Sequence, residues 1–185
     1  TDVIDVDSLL KYMSVSVALS NLDSYHGVLA HNYYLYEQDG VFSLLPWDFN
    51  ESFGSFNMGC RTDVRELYID EPVSVSLADR PLVNNVFSLS ENIEDYHGYL
   101  WQLIDGPLSK REFDASIAEI AALISEHVAN DPSAFYSYTQ FQQNLNSTVS
   151  RFYGLTEFME YRVANMTKQL NGTLPSAGDS RGFCN

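Results

Sequence analysis

The stretch Asn21-Leu22-Asp23-Ser24-Tyr25-His26-Gly27, followed by His31-Asn32-Tyr33-Tyr34-Leu35-Tyr36 and then by Pro46-Trp47-Asp48-Phe49-Asn50-Glu51-Ser52-Phe53-Gly54, decides how the chain is read. Residues 33–36 and 41–45 are β-prone runs, and Glu37-Gln38-Asp39-Gly40 between them places Gly where a tight turn needs positive φ, which predicts an antiparallel hairpin. Residues 21–30 are polar, contain Gly27 and lack periodicity, so they read as a loop. A hairpin brings the segment before it beside the segment after it. Asp23, Asn32 and Asp48 are therefore expected at one end of a small sheet.

Working outward, Val6, Leu9, Leu10, Met13 and Val17 recur at helical spacing, so residues 6–20 form an amphipathic helix capped by Asp5 or Asp7. Residues 55–79 hold Gly59, Pro72 and scattered charges without a period. A connector of that length is functional or disordered in most compact domains. From Arg80 the pattern is helical, with Pro81 suited to a first turn. Ser88-Leu89-Ser90-Glu91 and Ser109-Lys110-Arg111-Glu112 both read as capping boxes. The first precedes a helix with Ile93, Tyr96, Leu100, Trp101 and Ile104, stopped by Gly106-Pro107. The second precedes a long helix with Phe113, Ile117, Ile120, Ile124 and Val128, ending near Asn130-Asp131-Pro132. Phe141, Leu145, Val149 and Phe152 mark another helix, broken near Gly154. Leu155, Phe158, Val163, Met166 and Leu170 mark the last, stopped by Asn171-Gly172. The fold class is α+β, mainly α, with one domain over residues 1–172 and an extended tail over 173–185.

A chain of 185 residues with 45% hydrophobic and 14% aromatic residues is composed like a packed globular unit. The formal net charge of −15 argues against nucleic acid and anionic membrane surfaces as partners. No apolar run approaches a membrane span, and the first residues lack the pattern of a signal peptide. Cys60 and Cys184 have no Cys or His at metal-ligand spacing, and whether they pair is left open. Asn50, Asn146, Asn165 and Asn171 begin Asn-x-Ser/Thr triplets, which chance explains in a chain rich in Asn and Ser.

Carboxylate and amide oxygens without thiolates suit a hard cation such as Mg²⁺, completed by water and phosphate oxygens. The same residues also serve as ordinary turn formers around a hairpin. Tyr33, Tyr34, Trp47, Phe49 and Phe53 form either a ligand wall or, more commonly at such spacing, part of the core. His26 and His31 offer bases, but neither comes with a nucleophile to activate, and local hydrogen bonding explains both. Asp23 and Asp48 also fit a glycosidase pair, which requires two carboxyl groups at a fixed separation. GxSxG, HExxH, Walker and GxGxxG patterns are absent from the sequence.

The motifs Asn21-Leu22-Asp23-Ser24-Tyr25, His31 to Tyr36, and Leu45 to Gly54, in that order, resemble the signature of the CotH family, the spore-coat-protein-H-like atypical protein kinases. Arg80-Pro81-Leu82 and the helices after it follow in the order of that family's C-terminal half. The resemblance implies a kinase-like, mainly helical C-terminal lobe with a β-hairpin carrying the site. It makes Asp23 the catalytic-loop aspartate that orients or deprotonates the acceptor hydroxyl. Asn32 becomes the catalytic-loop amide that binds cofactor and metal. Asp48 becomes the aspartate that links Mg²⁺ to the phosphates of ATP, because phosphoryl transfer depends on positioning and charge neutralisation. Asn50 stands where the family often has a second aspartate, so it is a metal ligand without charge.

The strands and lysine of that family's N-terminal lobe have no counterpart before Thr1, so the chain is expected to be a portion of a longer kinase and to bind ATP poorly alone. The implied function is transfer of the ATP γ-phosphate to Ser or Thr of a coat or secreted protein, in the spore coat or outside the cell. The alternative is a non-catalytic kinase-like module for extracellular assembly or adhesion, whose partner is a bound protein rather than a substrate. Glycoside hydrolysis stands third.

Overall fold

The computed structural model describes residues 3–184. The element order is α1 Val6–Ala18, β1 Tyr33–Gln38, β2 Val41–Pro46, α2 Pro81–Val86, α3 Ser90–Asp105, α4 Lys110–Asn130, α5 Tyr138–Asn144 and α6 Leu155–Leu170, with short 3-10 turns at Phe49–Glu51, Val64–Glu66 and Leu77–Asp79. This is a mainly helical α+β fold around one two-stranded antiparallel sheet.

α1 starts where the Asp5 carboxylate accepts the Ser8 N–H, satisfying one of the free donors of the first turn. Its apolar face buries Leu9, Leu10, Met13 and Val17 against α3, which contributes Tyr96, Leu100 and Ile104. α6 closes the core from another side with Phe158, Met159 and Met166. Residues 55–79 are neither disordered nor outside the core: Val64, Leu67, Ile69 and Val73 are all buried. They pack without a regular period, so the sequence shows no helical or strand signal there.

Three polar side chains on α6 hold that irregular segment. Arg162 is fully buried and donates to the carbonyls of Leu67 (2.7 Å), Val17 (2.9 Å) and Arg65 (3.2 Å). Gln169 accepts from the Ile69 N–H at 2.9 Å and donates to the Leu67 carbonyl, while Asn165 accepts from Gln169. The tail lies on the same segment through Asp70 N to Ser176 O, Leu77 N to Ser180 O and Phe183 N to Val73 O. The buried Glu71 carboxylate accepts the Gly178 N–H at 2.9 Å. Cys60 and Cys184 form a disulfide that closes the pairing left open by the sequence.

Several helical expectations are corrected. Neither predicted capping box forms: α3 has Leu89 at its N-cap, and the Ser88 and Ser109 hydroxyls donate instead to the carbonyls of Asn85 and Gly106. The box that does form is Ser137 with Gln140 at the start of α5. That helix ends at Asn144, and Val149 and Phe152 pair as an isolated antiparallel bridge rather than continuing it. The expected long helix does form as α4, ending at Asn130; it buries Phe113 and packs Ile117 on the core, while Ile120, Leu123 and Ile124 are exposed. α1 ends at Ala18, two residues short of the predicted end.

Arg162→Leu removes a side-chain donor from three backbone carbonyls, of which Leu67 O keeps Gln169, and is expected to cost about 3 kcal/mol or more, read as a fall in the urea midpoint. Reducing Cys60–Cys184, which spans 124 residues, is expected to lose about 2–5 kcal/mol. Thermal melts with and without reductant measure it.

Candidate functional site

The hairpin pairs Tyr33 with Pro46 and Gln38 with Val41, so Asp39-Gly40 is the two-residue turn, with φ of 54° and 86°. At the open end, Asn32 and Trp47 stand immediately outside the first pair, and Asp48 follows. Residues 3–5 seal part of the outer edge of β2: the Phe42 N–H donates to Val3 O and the Asp5 N–H to Phe42 O. Only Leu44 is buried within the two strands.

Asp23 sits on a loop held by its own backbone. The Asn21 Oδ1 accepts the Asp23 N–H at 3.3 Å, and the Ser24 hydroxyl donates to Asn21 O at 2.7 Å. Gly27 is required here, because a Cβ at that position would lie 1.6 Å from Leu22 O. Arg80 braces the outer side: its guanidinium donates to the carbonyls of Gly27 and Val28. Tyr25 accepts the Leu82 N–H at 3.0 Å and meets Tyr33 edge-on, tying the Arg80-Pro81-Leu82 segment to the hairpin.

The Asp23 carboxylate is buried and fully engaged. Oδ1 lies 2.6 Å from His31 Nε2, and Oδ2 accepts from Asn32 Nδ2 at 2.9 Å, the same amide nitrogen that donates to Asp23 O at 3.0 Å. Spending its donors on Asp23 turns the Asn32 Oδ1 away, free to act as a ligand. Asn32 and Asp48 both adopt left-handed backbone, at φ 55°, a conformation Asn and Asp tolerate better than other side chains do. The Asp48 carboxylate is exposed and has no hydrogen-bonding partner among the described residues. It does not cap the 3-10 turn Phe49–Glu51 that it precedes. Asn50 lies in that turn, also exposed.

Asp23 and Asn32 are thus in direct contact, whereas Asp48 and Asn50 follow the other strand of the hairpin and form no hydrogen bond with either among the described residues. Among the described residues no three His, Cys, Asp or Glu side chains are grouped to hold a metal. Asp48, Asn32 and Asn50 carry oxygen donors of the hard type that Mg²⁺ prefers. Asp48 makes no side-chain cap bond, while the left-handed backbone of Asn32 and Asp48 is that of turn residues flanking the hairpin. The aromatic set divides: Tyr33, Phe49 and Phe53 pack on the core, while Tyr34 and Trp47 are exposed and meet edge-on at 5.3 Å.

The sequence reading did not assign Arg80 and Gly27 as supports, nor His31 as the partner of Asp23. Only the adjacency of His31 to Asn32 hinted at the last. The two histidines differ. His31 is partly exposed beside Asp23, but His26 is fully buried, with Nδ1 2.9 Å from the Ser24 hydroxyl. Burial, aided by the Arg80 and Arg162 charges, pulls its pKa down to about 3, so it is neutral and structural.

The sequence profile of the CotH kinase protein family matches residues 1–166 of the chain. No curated protein matches it.

Protonating His26 has a defined cost. Above pH 6.5 the group is neutral in both states. As pH falls from about 6.5 toward 3, the unfolded chain takes up a proton that the folded chain refuses, so stability declines by about 1.4 kcal/mol per pH unit. His26→Asn removes this component. The difference between wild type and variant is expected to shrink by about 2 kcal/mol between pH 6.5 and about pH 5, measured by urea titration at each pH.

Proposed function

The chain belongs to the CotH kinase protein family, and on that premise we propose that it carries the catalytic and metal-holding residues of a protein kinase acting on Ser or Thr. The observation that carries this reading is the bond from the Asn32 amide to Asp23, which turns the Asn32 oxygen outward at the end of the hairpin where Asp48 is exposed and unpaired. Asp23 orients the acceptor hydroxyl and receives its proton. Asn32 Oδ1, Asp48 and Asn50 hold Mg²⁺. Bound Mg²⁺ and ATP supply the charge neutralisation and the γ-phosphoryl group. The contribution of this chain is positioning: the Arg80 and Tyr25 braces fix the loop, and the hairpin fixes the separation between Asp23 and Asp48.

For Asp23 to receive a proton, one of its two intramolecular partners gives way as the acceptor hydroxyl enters. His31 is the more exposed partner, and its departure frees Oδ1 while Asn32 stays in place. The Cys60–Cys184 disulfide supports a setting outside the reducing cytosol, consistent with a coat or secreted substrate. One observation favours the second reading, a non-catalytic module for assembly: both Asp23 oxygens are already occupied, and an amide stands at Asn50.

The protein carrying these residues, given Mg²⁺, ATP and a Ser/Thr protein, separates the two readings. Asp48→Ala, with an unchanged melt, and Asp23→Ala, with a melt lowered by the loss of its bonds to His31 and Asn32, are each expected to lower phosphate incorporation by about a hundredfold or more. Wild-type transfer no faster than the variants', with partner binding intact, favours the module. Release of reducing sugar from glycans would instead favour the carboxylate-pair hydrolase.

A further inference from the structure

A groove of about 450 Å³ lies between the end of α4, the turn that follows it, α5 and the 3-10 turn Phe49–Glu51. Its walls are apolar, formed by Val128, Phe141, Leu145, Val149 and Phe152 among others, and Phe135 stands at its rim 97% exposed. A phenylalanine held fully in water is a poor use of a large apolar side chain unless something covers it. The polar end of the groove is formed by Asn50, Glu51 and Ser55. The groove therefore runs directly into the segment that begins with Asp48.

Charge narrows the occupant. Glu51 is the one carboxylate in the lining, and no Lys or Arg joins it. It accepts the Ser55 hydroxyl at 2.8 Å and forms no ion pair among the described residues. The whole chain carries −15. An acidic segment is repelled here, whereas a neutral or basic one is complementary. The volume is in the range of clefts that take one bulky group, and the apolar walls select an aromatic or long aliphatic side chain.

We propose that this groove seats an apolar anchor side chain of the acceptor protein, flanked by neutral or basic residues and close in sequence to the Ser or Thr that receives phosphate. The proposal rests on the kinase reading above and adds to it a means of substrate selection. The anchor is bound by α4 and α5, while Asp23 works on the hydroxyl at the other end of the Asp48–Glu51 segment. Exposed Phe135 folds its ring over the seated side chain.

The probes are short dye-labelled Ser peptides in a Gly/Ala/Lys background, with one Phe moved through each position, and a Phe-free control. Anisotropy titrations against the chain are expected to find at least one Phe position that binds roughly tenfold or more tighter than the control. Exchanging the Lys residues for Glu is expected to weaken that binding. Ala134→Trp, at an exposed lining position, fills the groove and is expected to abolish the Phe advantage without altering the melt. Phe135→Ala, which disturbs no core contact, reduces it in part. Equal binding of Phe and control peptides at every position, or a Phe advantage that survives Ala134→Trp, overturns the proposal. So does self-association of the chain that Ala134→Trp disrupts, which assigns the groove to a second copy. Offering the same peptides with Mg²⁺ and ATP to the protein carrying these residues separates the two readings. Transfer without Phe preference removes the groove and leaves the kinase. Phe-dependent, Ala134→Trp-sensitive binding without transfer retains the groove and removes the kinase.

Discussion

The structure depends on a guanidinium with no carboxylate to balance it. Arg162 is fully buried and donates to three backbone carbonyls: Val17 in the last turn of α1, and Arg65 and Leu67 in the irregular segment that follows the hairpin. Burial pulls its pKa down to about 10, still leaving it charged at neutral pH. A buried cation is expensive unless dipoles surround it. The carbonyl end of a helix is one of the few places where a folded chain supplies them. The position of α6 against α1 is thereby specified electrostatically as well as by packing, and residues 64–67 must follow the path that brings their carbonyls to the same point.

That constraint reaches the candidate site through the backbone. Once the end of α1 is fixed, Leu19 O accepts the Phe53 N–H at 2.8 Å, and the Ser20 hydroxyl donates to Val64 O at 2.8 Å. The segment leaving the hairpin and the loop entering it are therefore anchored to the same helix terminus. Gly54 fits this junction because a Cβ there would lie 2.5 Å from the Val64 side chain, and its φ of 69° suits glycine. Asp23 and Asp48 arise on either side of that anchor. The backbone on both sides is therefore anchored at the end of α1 and, through it, at Arg162, the kind of preorganisation that the proposed reaction would use.

The parts legible in the sequence were those with a period or a turn residue: α1 from its 3-4 spacing, the hairpin from Asp39-Gly40, and the end of α3 from Gly106-Pro107. The contact of Asp23 with Asn32 was legible as a convergence of loops at a hairpin, though not as a hydrogen bond. Three kinds of feature were hidden. Arg162, Asn165 and Gln169 lie at i, i+3 and i+7 on α6, where polarity reads as a solvated face; their partners are backbone groups that leave no mark on composition. Val64, Leu67, Ile69 and Val73 reach the core from turns, so neither a 2.0 nor a 3.6 period betrays them. Residues 149–152 gave the opposite error: their hydrophobicity read as a continued helix, yet Val149 and Phe152 bridge around a two-residue turn to line a groove. The helix read over α4 does form, although Ile120 and Leu123 on it face water. Hydrophobic spacing reports which residues share a face, and it says nothing of what lies opposite that face.

The two halves of the site are built to opposite specifications, and this bears on how charge is managed. Asp23 and Asn32 are locked by each other, by His31, and by a loop whose carbonyls Arg80 holds. Asp48 is exposed, holds left-handed backbone, and its carboxylate has no hydrogen-bonding partner among the described residues. A group that must hold one position throughout a reaction gains from the first arrangement, because reorganisation is avoided. A group that must bind a hydrated cation gains from the second, because every hydrogen bond to a carboxylate oxygen competes with the metal for the same lone pairs. Asn50 fits the same logic, since an amide adds an oxygen without a second negative charge beside Asp48. In a chain of net charge −15, sparing that charge limits the repulsion around Asp48, at the cost of weaker attraction for the cation proposed there.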